Sequence, residues 1–285
     1  MLVEKALSIL FFFILAVTVV FLLSGCGQPV TDGKLEPETA QSIKPSLPLL
    51  DTQLHGPLET AYFALGWFWG SDSQFGSIEG VIHTRVGYCG GTTASPSYYN
   101  IGDHSETVQV DFDPTIISYG QLLLAFWNAH NAAYPSYSIQ YRSAIFYTTE
   151  QQQKLANETL QKEEFKIGKR LFTDIEPFSG FYIAEDYHQK YNLRQITEVA
   201  NELYAIYPDP AEFRDSTAAA KLNGYLGGNG DADILNESID SLGLSEAGRR
   251  ALLERAQYGL FPVCPVVSPW DCYSANSNYN SSSSV

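Results

Sequence analysis

Basic residues are scarce in this chain: 17 Lys and Arg stand against 32 Asp and Glu, a formal net charge of -15 over 285 residues. A phosphate backbone would be repelled by that balance and no Lys/Arg cluster offsets it, which argues against nucleic acid as a partner. The surface reads instead as soluble and self-repelling. Histidine is sparse too, with five in all, and none stands at ligand spacing, so no zinc or other metal site is indicated. No Gly-rich phosphate loop, catalytic Ser/His/Asp set or nucleotide fingerprint is present. No internal repeat is visible, and cysteine is confined to Cys26, Cys89, Cys264 and Cys272.

What is present begins with one long apolar run. Residues 6–23 are broken only by Ser8 and Thr18 and flanked by Glu4 and Lys5, which is long for a signal-peptide core and just long enough to approach a membrane span. The Leu23-Ser24-Gly25-Cys26 that follows resembles a bacterial lipobox, in which Cys26 is lipidated and becomes the mature N-terminus; an uncleaved anchor helix is the alternative. Either way residues 1–26 are expected to tether the protein to a membrane, facing the periplasmic or extracellular side. Residues 27–57, with Pro29, Pro37, Pro45 and Pro48, read as a flexible linker. The Ser/Asn-rich residues 274–285 cannot bury enough apolar area to order themselves.

Between these ends the pattern is α+β. Residues 60–66 form a short apolar-aromatic strand, 71–78 a helix closed by Glu79-Gly80, and 81–86 a strand with one buried face. That is a right-handed βαβ crossover with two parallel strands. Further strands are expected at 106–112 and 143–147, amphipathic helices at 118–130 and 150–166, and two or three short helices at 212–257. Residues 58–200 form the domain and 201–273 a helical extension with a cysteine-containing tail. The crossover puts Trp67 and Cys89 just past the carboxyl ends of its strands, at the sheet edge where α/β proteins bind ligands and helix N-termini present free N–H groups.

Seven segments then appear in register between about residues 60 and 194. They are Gly66-Trp67-Phe68-Trp69-Gly70, Val86-Gly87-Tyr88-Cys89-Gly90-Gly91, Pro96-Ser97-Tyr98, His104-Ser105-Glu106, Phe126-Trp127, Gln140-Tyr141-Arg142-Ser143-Ala144-Ile145 and Ala184-Glu185-Asp186-Tyr187-His188-Gln189-Lys190-Tyr191. Together they resemble A-type peptide methionine sulfoxide reductases. The resemblance implies a ferredoxin-like α/β plait with a mixed sheet. It implies reduction of methionine-S-sulfoxide in peptides and proteins, with an external dithiol such as thioredoxin as reductant and no bound cofactor. It also implies roles: Phe68 and Trp69 hold the sulfoxide methyl, Tyr98, Tyr141 and Glu106 hydrogen-bond the oxygen, and Glu106 donates the proton. A desolvated carboxyl has the raised pKa such a donor needs. The pattern departs from the family at Ser136 and Asn131, on the rim, and His188 reads as ordering a helix start.

The chief departure is Trp67, which stands where the family's signature has its nucleophilic cysteine. An indole donates one hydrogen bond and forms no sulfenic acid. Three readings are open. Cys89 could be a relocated nucleophile, or merely a small buried residue. The pocket could bind oxidised methionine side chains without reducing them. Or codon 67 could encode something other than tryptophan, since UGG, UGU and UGA differ by one base and some relatives place selenocysteine there. By the same resemblance a C-terminal cysteine resolves the sulfenic acid, so Cys264 or Cys272 could pair with Cys89; as a structural disulfide they would instead pair with each other.

Overall fold

The computed structural model describes residues 46–256. The expected leader, most of the linker, the Cys264 and Cys272 pair and the Ser/Asn-rich end lie outside these residues. Among the described residues no helix is long and apolar enough to cross a membrane.

The α+β plait expected from the sequence is present. Strands β1 (Glu59–Leu65), β2 (Val81–Cys89), β3 (Ser105–Phe112), β4 (Ser143–Tyr147), β5 (Thr173–Pro177) and β6 (Phe181–Ile183) form one sheet in the order β5-β4-β1-β3-β2-β6. Helices α1 (Phe68–Ser77), α2 (Tyr119–Ala129) and α3 (Glu150–Ile167) supply the crossovers. Only the β4/β5 pair is parallel. The edge strands β5 and β6 carry Asp174 and Glu176 or run to only three residues, too short and polar to show a period-2 signal.

One expectation about the crossover is corrected. β1 and β2 do run the same way, but they are not neighbours: β3 lies between them and pairs antiparallel with both, Phe63 opposite Val108 and Tyr88 opposite Glu106. The chain returns from β2 through residues 90–104 and hydrogen-bonds to the strand it has just left, so the hairpin partner takes the central place. Trp67 and Cys89 are therefore separated by a full strand.

Alternation along the strands divides the sheet into two apolar faces. On one, Ala61, Phe63, Val108, Val110 and Phe112 are buried under Phe75 of α1 and Leu122, Leu123 and Phe126 of α2. Phe63 stacks on Phe75 at 5.0 Å between ring centres. The Ser118 hydroxyl starts α2 by accepting from the Gln121 amide while the Gln121 side chain returns to the Ser118 N–H, a reciprocal cap that satisfies two otherwise free donors. On the other face Ala64, Cys89, Ala144 and Phe146 pack with Tyr62, Phe178 and Phe181.

Beyond the plait lie α4 (Tyr191–Arg194), α5 (Thr197–Ile206), α6 (Pro210–Arg214), α7 (Thr217–Leu226), α8 (Ala232–Ser238) and α9 (Glu246–Ala256). Where two or three helices were expected over 212–257, four are present, and α5 precedes them. They close a second apolar core around Leu193, Leu203, Phe213, Leu222 and Leu252. This extension supports the plait directly. At Gly76 of α1 an added Cβ would come within 2.5 Å of the Ala220 carbonyl oxygen, and at Gly224 of α7 within 2.7 Å of the Ser77 backbone nitrogen. Glycine is what lets these two helices approach so closely.

The linker is also shorter than expected. A 3-10 turn spans Leu49–Thr52, and Asp51 accepts hydrogen bonds from the Tyr207 hydroxyl at 2.6 Å, the Ser216 hydroxyl at 2.9 Å and the Thr217 amide at 2.5 Å. Its carboxylate satisfies donors at the start of α7, where the helix dipole favours negative charge. The proline-rich composition of the segment hid these long-range contacts.

Candidate active site

The strand-to-helix turn after β1 builds the site. Gly66 has φ +98, a conformation open to glycine at little cost, and Trp67 then takes the N-cap position of α1. The helix thus begins at Phe68, three residues earlier than its apolar pattern indicates. The first N–H groups of a helix have no partner within it; here the Phe68 N–H donates to Glu106 Oε2 at 3.0 Å.

Glu106 reaches this point from β3 and is only 3% exposed. Its other oxygen accepts from the Gln140 side-chain amide at 2.8 Å. Burial raises its pKa, against the two hydrogen bonds that favour the ionised form. A carboxyl so placed keeps its proton to higher pH than a solvated one and can donate it inside the pocket. Tyr141 ends the short 3-10 turn Ile139–Tyr141, and its hydroxyl is pushed up to about 12 by desolvation and by the neighbouring Glu106. It is therefore a neutral donor across the ordinary pH range.

Trp69 is held on two sides. Its indole lies parallel to the Tyr191 ring at 3.8 Å, and its N–H donates to His188 Nδ1 at 3.1 Å. Because Nδ1 accepts, a neutral His188 carries its proton on Nε2, which lies 3.9 Å from Glu185 Oε2. Glu185 in turn accepts from the Tyr88 hydroxyl at 2.8 Å and the Tyr98 backbone N–H at 3.0 Å. His188 also sits 4.6 Å from the Tyr98 ring and 5.0 Å from Phe68. It is a wall-positioning residue and lies at the end of a 3-10 turn, Asp186–His188, so it orders more than a helix start.

The loop carrying these residues is fixed by a buried ion pair. Lys190, fully buried and at φ 55, donates from Nζ to Asp72 Oδ1 at 3.0 Å and to Thr84 Oγ1 at 2.9 Å and the Thr84 carbonyl at 2.5 Å. All three ammonium protons are used. Gln189 bridges to Val86 N and O. The segment from Glu185 to Lys190 thus forms a back wall behind the lining residues Phe68, Trp69 and Tyr98. From the sequence the segment offers a family landmark and a helix start at His188; the burial of His188, Gln189 and Lys190 is visible only in the fold.

Trp67, Phe68, Trp69, Tyr98, Glu106 and Tyr141 together line a cavity of about 130 Å³. Every one of these six was singled out from the sequence. Trp67 is 65% exposed and stands at the mouth, its ring 6.3 Å from that of Tyr141. Cys89 is not among them. It lies on the other sheet face, fully buried against Ala64, Ala144 and Phe146, because Tyr88 and not Cys89 shares the face of Glu106. Burial pushes its thiol up to about 12, the reverse of what activates a nucleophile. The geometry thus speaks against a relocated nucleophile at Cys89 and for the small buried residue. Ser136 is spent on a local turn, donating to the Ser138 carbonyl at 2.9 Å. Among the described residues no group of three or more His, Cys, Asp or Glu could hold a metal ion.

The sequence and fold can be set beside known proteins. Residues 59–221 match the family model for peptide methionine sulfoxide reductase. The chain is 38% identical over 193 residues to a peptide methionine sulfoxide reductase of Drosophila melanogaster, covering 67% of this chain and 77% of that protein. It is 39% identical over 193 residues to peptide methionine sulfoxide reductase A5 of Arabidopsis thaliana, covering 65% and 75%. Among solved structures it is similar to methionine sulfoxide reductase A of Corynebacterium diphtheriae, at 30% identity and a TM-score of 0.45 over 53% of this chain and 81% of that one.

Proposed function

The chain belongs to the peptide methionine sulfoxide reductase family, whose function is reduction of methionine sulfoxide, and from that premise we propose that its pocket recognises methionine sulfoxide side chains without reducing them. The single observation that carries the reading is the composition of the cavity: the residues that hold the sulfoxide are assembled, and the thiol that would attack it is not among them. Phe68 and Trp69 take the apolar methyl. Tyr98, Tyr141 and, when protonated, Glu106 donate to the sulfoxide oxygen, a strong acceptor.

Reduction needs a thiol that accepts the oxygen, becoming a sulfenic acid as the sulfoxide becomes a thioether; a second thiol then releases water and leaves a disulfide for a dithiol reductant. Indole has no such chemistry. Trp67 sits at the helix N-terminus where a thiolate would be stabilised, so Trp67→Cys restores the missing step in this proposal, with thioredoxin or dithiothreitol as reductant and Cys264 or Cys272 as resolving thiol. The apolar run over residues 6–23 and the Leu23-Ser24-Gly25-Cys26 after it support, as part of this proposal, a membrane-tethered domain facing a non-cytosolic compartment.

The test is turnover of the S-epimer of a methionine sulfoxide peptide with dithiothreitol, alongside calorimetric binding of the same peptide. Expected are binding without turnover in the wild type, turnover in Trp67→Cys, and no effect of Cys89→Ser on binding. Wild-type turnover lost in Cys264→Ser or Cys272→Ser would overturn the non-reducing reading by bringing the nucleophile from the tail; loss in Cys89→Ser would overturn the placement of Cys89. Reading codon 67 in the gene checks the residue itself.

A further inference from the structure

The cavity is small, and five of its six lining residues are aromatic. At about 130 Å³ it is well below the roughly 300–1,000 Å³ of a drug-sized pocket, so it takes a side-chain tip or a small head group. Trp67, Phe68, Trp69, Tyr98 and Tyr141 supply the rings, and Glu106 is the sixth residue. No Lys, Arg or His lines the space. Binding a sulfoxide calls for an apolar wall and donors; it does not call for a tryptophan at the mouth, within 6.3 Å of a tyrosine ring. A ring of aromatic side chains with one carboxyl is the composition that holds alkylated ammonium ions, whose charge is attracted to ring faces within about 6 Å, most strongly to tryptophan.

We propose that this pocket binds a trimethylammonium group, with Trp67 as the residue that closes the aromatic cage and Glu106 as the counter-charge. The proposal rests on reading the pocket as a binding site and is independent of whether it also takes a sulfoxide. Three features support it. The Glu106 carboxylate, once ionised, has two hydrogen-bond donors in place, the Phe68 amide and the Gln140 side chain. Tyr88 and Tyr141 are the titratable side chains that feel its charge, Tyr98 lines the same space, and His188 stands behind the Phe68, Trp69 and Tyr98 rings. The net charge of -15 raises the local concentration of any cationic ligand.

The two ligand classes have opposite pH signatures because they need opposite states of the same carboxyl. A sulfoxide oxygen accepts from protonated Glu106, so its binding weakens as pH rises through the Glu106 pKa. A trimethylammonium ion pairs with ionised Glu106, so its binding strengthens over that interval and releases a proton.

The experiment is isothermal titration of the full chain with choline and with 3,3-dimethyl-1-butanol, its neutral carbon isostere, at fixed ionic strength and at pH 5 and pH 8. N-acetyl-methionine sulfoxide is titrated in parallel. Choline is expected to bind about tenfold or more tightly than the isostere, as cation–π attraction to several rings implies, with the preference growing toward pH 8. Trp67→Leu, which keeps apolar bulk, is expected to reduce the preference several-fold, and Glu106→Gln to abolish its pH dependence. Co-sedimentation with phosphatidylcholine vesicles, competed by free choline, separates a lipid head group from a free metabolite as the source. Equal binding of choline and isostere, or a preference unchanged in Trp67→Leu, overturns the proposal; the sulfoxide titration on the same sample reports separately on the reading above.

Discussion

Asp72→Asn is the sharpest test of how the back wall is held. In the native protein Lys190 and Asp72 are both fully buried and 3.0 Å apart. Burial outweighs attraction to Asp72 and already holds the Lys190 pKa low in the native protein, so taking away the carboxylate charge lowers it further, with the smaller attraction to Asp215 left to oppose desolvation. The cost of an unpaired buried ammonium has a ceiling, because the lysine can give up its proton instead. From a solvated pKa of about 10.4, deprotonation at pH 7 costs about 1.4 kcal/mol for each of roughly 3.4 units, or about 4–5 kcal/mol. That agrees with the ~3–5 kcal/mol seen when one partner of a buried pair is removed, and it leaves a domain of ordinary stability, about 5–15 kcal/mol, weakened but folded. The sign follows from linkage. A lysine whose folded pKa is lowered binds fewer protons folded than unfolded, so its penalty is full below the folded pKa and shrinks as pH rises from there toward the unfolded value of about 10.4. The deficit relative to wild type is therefore expected to fall to about 2 kcal/mol at pH 9. Urea unfolding of both proteins at pH 7, 8 and 9 measures it. A deficit below about 1 kcal/mol at pH 7, or one that does not change with pH, refutes the reasoning.

Two further outcomes are expected. His188 has its pKa lowered chiefly by burial, and it accepts the Trp69 N–H at Nδ1; protonation turns that acceptor into a donor. The stability His188 contributes is present above its unfolded pKa of about 6.5 and is lost as pH falls through the lower folded value, so near-ultraviolet circular dichroism is expected to report loosening of Trp69 in mild acid, and the transition to vanish in His188→Gln. Cys89 is buried and its thiol pushed up to about 12. In a Cys26, Cys264 and Cys272 to Ser background it is expected to react with a thiol reagent only as fast as the protein unfolds, and rapid labelling without denaturant would contradict the placement.

The plait and pocket were legible for different reasons. Strands at Glu59–Leu65, Ser105–Phe112 and Ser143–Tyr147 and the helices at Tyr119–Ala129 and Glu150–Ile167 match their sequence expectations to within a residue or so, because most have a buried face with its own period, Ser143–Tyr147 is a short run buried on both faces, and both helices have N-caps. The pocket was legible through its resemblance to a family. The start of α1 was misplaced because its first turn is fixed by Glu106, 38 residues away, and the extension was under-counted because its short helices are stabilised by packing on one another around Leu203, Phe213, Leu222 and Leu252 and, through α7, on α1. The placement of Cys89 could have been reasoned from alternation: if Tyr88 stands opposite Glu106, its neighbour must face the other way. What was missing was the pairing of β2 with β3.

The sequence by itself determined the α+β alternation and the absence of a thiol at position 67, since local period and residue chemistry are written in the chain, and through the family its motifs resemble it named all six cavity residues. Tertiary structure alone decided that β3 separates the strands bearing Trp67 and Cys89, that Cys89 lies behind the sheet, and that His188, Glu185 and Lys190 brace the pocket through contacts reaching Trp69, Tyr88 and Asp72. The reason is physical: strand order and the partners of buried polar groups are set by long-range hydrogen bonding and by the cost of leaving a donor or charge unpaired, and neither leaves a periodic trace in the sequence.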